Sequence, residues 1–174
     1  MIKNAALMAF AVVALTASSA FAEAVNEVHV PKSAWDKLEL SKAKAGDFAE
    51  YEMPAVAGMK TRQEVVEIGD HTMTMSTSMT MAGNKMPAQK MKMIYDGPEV
   101  AGKDPKTNVE MKEADDKVTI AKGTYDAKRY EAYQDGKLLS KSWMSKDVPV
   151  TGLVKTQGPD GKDTMVLVDF GRGK

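Results

Sequence analysis

Methionine is the residue whose number and spacing could support chemistry here. Twelve of the 14 methionines lie beyond residue 22, and seven of these (Met73, Met75, Met79, Met81, Met86, Met91 and Met93) fall within 21 residues. A thioether is a neutral, soft donor suited to Cu(I). The same side chain is unbranched and polarizable, so methionine-rich surfaces adapt to apolar ligands of varied shape. Two chemistries follow. In the first, Met73, Met75, Met79, Met81, Met91 and Met93, with Trp143, line a concave hydrophobic pocket for a lipid or acyl chain. In the second, His71, Met73 and Met75 hold copper, because residues i and i+2 of a strand lie about 6.6 Å apart and long thioether side chains can converge on one ion. A plainer reading needs neither: the methionines fill a core where Val, Ile or Leu would otherwise sit.

Other constellations are poor. The chain has no cysteine, which removes disulfides, thiol nucleophiles and thiolate metal sites together. His29 and His71 are the only histidines, and neither belongs to a His-Glu-x-x-His helix; no Gly-x-Ser-x-Gly elbow is present. The acidic runs Glu113-Ala114-Asp115-Asp116 and Asp160-Gly161-Lys162-Asp163 do not match a twelve-residue calcium loop, and they suit solvated turns. The expectation is a protein without enzymatic activity or cofactor.

The elements that must position the methionines read as strands. From His71 to Met81 the odd positions are His71, Met73, Met75, Thr77, Met79 and Met81, and the even positions carry only Thr and Ser. Strand side chains alternate between faces, so four thioethers share one face and hydroxyls the other. Met91, Met93 and Tyr95 continue that parity in the next strand. Candidate strands run over 47–53, 59–68, 71–82, 85–95, 107–112, 117–121, 123–134, 137–145, 153–156 and 164–170. Gly and Asp punctuate them, and Asp135-Gly136 is the strongest two-residue hairpin signal. Residues 148–152 read as a turn into the next strand. Residues 23–45 form a leading arm, with one short helical turn, that docks through Trp35. The fold class is all-β: an antiparallel meander over 46–174, curled into a half-barrel or open barrel, with at most one or two short helices.

Residues 1–22 have the zones of a cleaved signal peptide: Lys3, an uncharged run over 5–16, and Ala20-Phe21-Ala22 before Glu23. The run is about 12 residues, short of the roughly 20 that span a bilayer. No later stretch is a transmembrane candidate. Lys3 is the only charge removed, so the mature 152 residues carry 23 Lys and Arg against 24 Asp and Glu. That balance argues against nucleic acid as a partner. The expected location is the periplasm, with the extracellular medium as the alternative. A third reading is a structural module whose strand edges pair with an unknown envelope protein, with no small ligand.

Several phrases resemble an uncharacterised family of exported bacterial β-rich proteins. Gly46-Asp47-Phe48-Ala49-Glu50-Tyr51 is similar to its Gly-Asp-aromatic-x-Glu-Tyr opening, and Gly123-Thr124-Tyr125-Asp126-Ala127 to its Gly-Thr-aromatic-x-Cys/Ala phrase. Residues 143–155 (WMSKDVPVTGLVK) resemble its Trp-x-Ser-x-x-Val-Pro-x-x-Gly-Leu-Val-Lys signature, and 167–171 its closing strand. The resemblance spans most of 46–171. It implies a curved sheet distantly like the LolA/LolB-type carriers of periplasmic lipoproteins, a likeness of architecture only; a lipid or lipoprotein is the partner expected from the methionine-lined sheet. It transfers no catalytic residue. Ala127 stands where relatives often carry Cys.

Overall fold

The computed structural model describes residues 25–36, 39–97 and 109–174. Residues 1–22, where a signal peptide is expected, lie outside them, as does most of the segment 96–106 between two predicted strands.

Eleven strands form a single open sheet: β1 Val25–Pro31, β2 Phe48–Glu52, β3 Lys60–Ile68, β4 Thr72–Met81, β5 Asn84–Lys85, β6 Gln89–Gly97, β7 Val109–Ile120, β8 Gly123–Gln134, β9 Lys137–Met144, β10 Leu153–Gln157 and β11 Asp163–Gly171. Their spatial order is β1-β6-β4-β3-β2-β11-β10-β9-β8-β7, with β5 paired to β4. Every pairing is antiparallel except β1 with β6. The sheet does not close, and β1 and β7 are its edges. One helical turn, α1 (Lys32–Trp35), and a 3-10 turn at Glu39–Lys42 are the helical elements among the described residues.

The inner face is set by alternation. On β2, Ala49 and Tyr51 are buried; their neighbours Phe48, Glu50 and Glu52 are less so. Register carries that face across the sheet: Tyr51 opposes Thr61 and Leu167, Val65 opposes Met75, Met73 opposes Met93, and Val118 opposes Tyr125. Two cores form on it. In the first, Ala49, Tyr51, Val118, Tyr125, Ala127, Trp143, Val148, Val154 and Leu167 pack together. The sheet curls to bring them close: Tyr125 of β8 meets Phe170 of β11 edge-on at 6.4 Å, and Lys122 pairs with Asp169, although β9 and β10 lie between these strands. The second core joins Val65, Met73 and Met93 to Trp35, Ala43 and Val150.

The arm and the segment 145–152 roof these cores. Trp35 is 5% exposed and stacks on Tyr95 at 4.4 Å with the rings nearly parallel. The arm is more regular than its sequence suggests, because residues 25–29 extend the sheet beside β6. Residues 145–152 are not a simple surface turn. Val148 sits in one core and Val150 in the other, each 2% exposed. Val150 adopts φ 69°, a left-handed conformation that is costly for a β-branched residue. Surrounding contacts hold it there. The Tyr51 hydroxyl lies 2.6 Å from Thr151 Oγ1, Ser145 N–H donates to the Gly152 carbonyl, and Arg172 donates to the carbonyls of Lys146 and Asp147.

The phrase over residues 46–51 has a local explanation. Asp47 is 1% exposed, and its carboxylate accepts N–H bonds from Lys44 (2.9 Å) and Gly173 (2.7 Å), tying the strand entry to the C-terminus. A Cβ at Gly173 would overlap the Ala45 carbonyl, so the chain end passes too close for any other residue.

Candidate functional site: the methionine face

The β4 alternation becomes a row of thioethers on the inner face. Met73 pairs with Met93 and Met75 with Met91, placing four methionines on two neighbouring strands. Met73 is 2% and Met93 7% exposed beneath Trp35, with Val65, Ala43 and Val150 around them. Met75, Met91 and Tyr95 pack against the same cluster while remaining half-buried. Further along β4, Met79 is half-buried and Met81 is 48% exposed. The row therefore runs from a roofed inner end to an open rim.

Trp143, grouped with these methionines from sequence, lies in the other core on β9. Its indole Nε1–H donates to Asp116 at 3.0 Å, and its ring lies below the Lys155 ammonium at 5.4 Å. His71 precedes β4 and does not start it. Its side chain is 60% exposed, its ring meets Tyr95 edge-on at 6.2 Å, and Nε2 lies 3.6 Å from Asp70. So the imidazole is in solvent, whereas Met73, two residues on, is sealed in the core.

Three further methionines, to which the sequence alone assigned no role, belong to the rim of this surface: Met53, Met59 and Met86. Met53 and Met59 bracket the loop between β2 and β3, where Met53 N–H donates to the Met59 carbonyl. Met86 N–H donates to the Met79 carbonyl across the β4–β5 hairpin. The available signal was hairpin register: the short return between Met53 and Met59 places the two opposite each other. Trp35 and Tyr95, the roof of the inner end, were legible only as separate aromatics.

Beside the first core, the inner face of β7, β8 and β9 also carries an ionic cluster. Asp116 accepts from Trp143, from Arg129 (3.0 Å) and from Lys117 N–H (2.8 Å). The Trp143 N–H, more than any other partner, holds the Asp116 carboxyl below its ordinary range. Glu131 accepts the Tyr133 hydroxyl at 2.8 Å and pairs with Arg129 and Lys141; the Tyr133 bond is the main cause of its lowered pKa. These groups pair with one another across β7, β8 and β9, although the buried Arg129 Nε, 3.2 Å from Glu131, makes no hydrogen bond of good geometry. An open cleft of about 720 Å³ beside them is lined by the charged Asp115, Asp116, Lys117, Asp126 and Lys128 and by Ala127, Tyr130 and Met144, together with residues 145–147. A polar groove of about 190 Å³ on the opposite face is lined by Glu50, Lys60 and Arg62. Among the described residues, no three His, Cys, Asp or Glu side chains gather as a metal site, and no helix is long and apolar enough to cross a membrane.

No family model and no curated protein matches this chain. Among solved structures it is similar to a Bacteroides fragilis protein with a YmcC-like fold, at 10% identity and a TM-score of 0.45, covering 75% of this chain and 97% of that one.

Proposed function

We propose that the chain is an exported, non-enzymatic binding protein of the cell envelope, working in the periplasm, whose ligand is a lipid or acyl chain laid along the methionine row of β4 and β6. The observation that carries this reading is the gradient of burial along one strand face, from Met73 under Trp35 to Met81 at the open rim. An apolar chain entering over Met81 and Met79 would run toward Met75 and Met91, and deeper entry would displace the Trp35 roof from Tyr95. Methionine suits such a floor because its side chain repacks around different shapes at little cost. Export is supported by the Lys3, apolar-run and Ala-x-Ala pattern of residues 1–22.

Organic extraction and native mass spectrometry of the mature protein, purified from the envelope without detergent, test the reading. The expected result is a co-purifying lipid or fatty acid in stoichiometric amount, reduced in a Met75→Gln/Met91→Gln variant. Empty protein that also fails to take up added fatty acid would reject it.

A further inference from the structure

The 53–59 loop and the β4–β5 hairpin gather five thioethers that are distant in sequence. Lys60 opposes Thr80 in the β3–β4 ladder, and Ala82 N–H donates to the Gly58 carbonyl, so Met59 stands directly opposite Met81. Glu52 opposes Lys60, and Met53 N–H donates to the Met59 carbonyl, so Met53 stands opposite Met59. Thr80 opposes Lys85, and Met86 N–H donates to the Met79 carbonyl, which sets Met86 opposite Met79. All five share the inner-face parity of Tyr51 and Thr61. Directly opposed residues have Cβ atoms about 4.5–5.5 Å apart, and Met79 and Met81 are about 6.6 Å apart along their strand. Met81 is thus flanked by Met59 across the ladder and by Met79 along it, with Met53 and Met86 one position further out.

We propose that this rim is a binding site for a monovalent soft cation, Cu(I) or Ag(I), ligated by the thioethers of Met59, Met79 and Met81, with Met53 and Met86 flanking. Packing does not require these side chains: Met81 and Met86 are 48% and 42% exposed, and none of the five belongs to either core. Away from the methionine row of β4 and β6 the inner face mixes Val, Ala, Leu and Tyr, whereas each of these five neighbouring positions is Met. Neutral sulfur ligands favour a soft monovalent ion over Zn(II) or Ca(II), which take nitrogen, thiolate or carboxylate oxygen. The nearby ammonium groups do not oppose a cation, because Lys60 and Lys85 pair with Thr80 on the opposite face and Lys60 is engaged by Glu50 at 3.5 Å. The site differs from the His71, Met73 and Met75 set: Met81 is 48% exposed and Met59 and Met79 are half-buried, whereas Met73 is sealed under Trp35. It does not rest on the acyl-chain reading, although both use Met79 and Met81, since the ion needs only the rim.

The test is titration of lipid-free mature protein with Ag(I) in chloride-free buffer, read by calorimetry and by the methionine methyl resonances. A 1:1 complex is expected, with shifts at Met59, Met79 and Met81 and none at Met73 and Met93, and no binding of Zn(II). Met59→Leu/Met79→Leu/Met81→Leu keeps apolar volume at a partly exposed rim and should weaken binding roughly a hundredfold or more, beyond the 10–100-fold typical of losing a mere supporting group. Its circular dichroism checks that the fold is retained, and Met73→Leu/Met93→Leu should bind as the unaltered protein does. Absence of uptake, shifts spread evenly over all methionines, or unchanged affinity in the rim variant would overturn the proposal. A failed acyl-chain experiment would leave it standing.

Discussion

Replacing Asp47 tests how the fold is anchored. Its two carboxylate oxygens accept N–H bonds from Lys44 and Gly173, and the side chain is 1% exposed. Hydrogen bonds to a charged group contribute about 1.5–3 kcal/mol each, but the variant also escapes the cost of burying the carboxylate. Asp47→Ala should therefore lose about 2–4 kcal/mol net, and leave two backbone donors without partners. For a domain of this size, that corresponds to a fall in Tm of roughly 5–15 °C. Asp47→Asn retains one acceptor oxygen and should lose about half as much. Urea unfolding followed by far-UV circular dichroism measures both, with an unchanged m-value expected because the surface exposed on unfolding is the same. An Asp47→Ala variant within about 0.5 kcal/mol of the parent, the range of ordinary surface substitutions, would refute the anchoring role.

Tyr51 is buried, and that burial raises its phenol well above the ordinary value. The stability this represents is complete below about pH 10, the unfolded phenol value, and is lost as pH rises toward the folded value; Tyr51→Phe should show a shallower alkaline loss in pH-dependent unfolding. Trp143→Phe removes the chief partner that lowers the Asp116 pKa, so the carboxyl resonance of Asp116 should titrate at higher pH in that variant; an unmoved titration would show that Arg129 alone suffices. Met73→Ala, inside the second core, should cost about 2–5 kcal/mol. Met81→Ala, at the rim, should stay within about 0.5 kcal/mol, and equal losses in urea unfolding would contradict the separation of core from rim.

The two-residue rhythm of β4 was legible because one face is buried and the other carries Thr and Ser, so face and register follow from parity alone. Asp135-Gly136 was legible for a backbone reason: both residues take positive φ in the hairpin turn. β7 was read as two strands because residues 113–116 resemble a solvated turn. In the fold those charges stay in the ladder through cross-strand pairs, Glu113 with Lys128 and Asp116 with Arg129. Residues 148–150 carry no period, so nothing local signals that they plug the sheet. Their burial comes from β2, β3 and the arm, all distant in sequence. The same cause divides the methionines. Parity puts them on one face, but only the docking of Trp35 decides which become core and which remain open.

Site-resolved methyl NMR of the mature protein, titrated with a fatty acid below its aggregation concentration, tests the binding face most directly. Shifts are expected to progress from Met81 and Met79 to Met75 and Met91, together with a change in Trp35 fluorescence as its stack on Tyr95 loosens. Shifts confined to Met111 and Met144 on the far half of the sheet, or no shifts at all, would contradict a ligand laid along the methionine row.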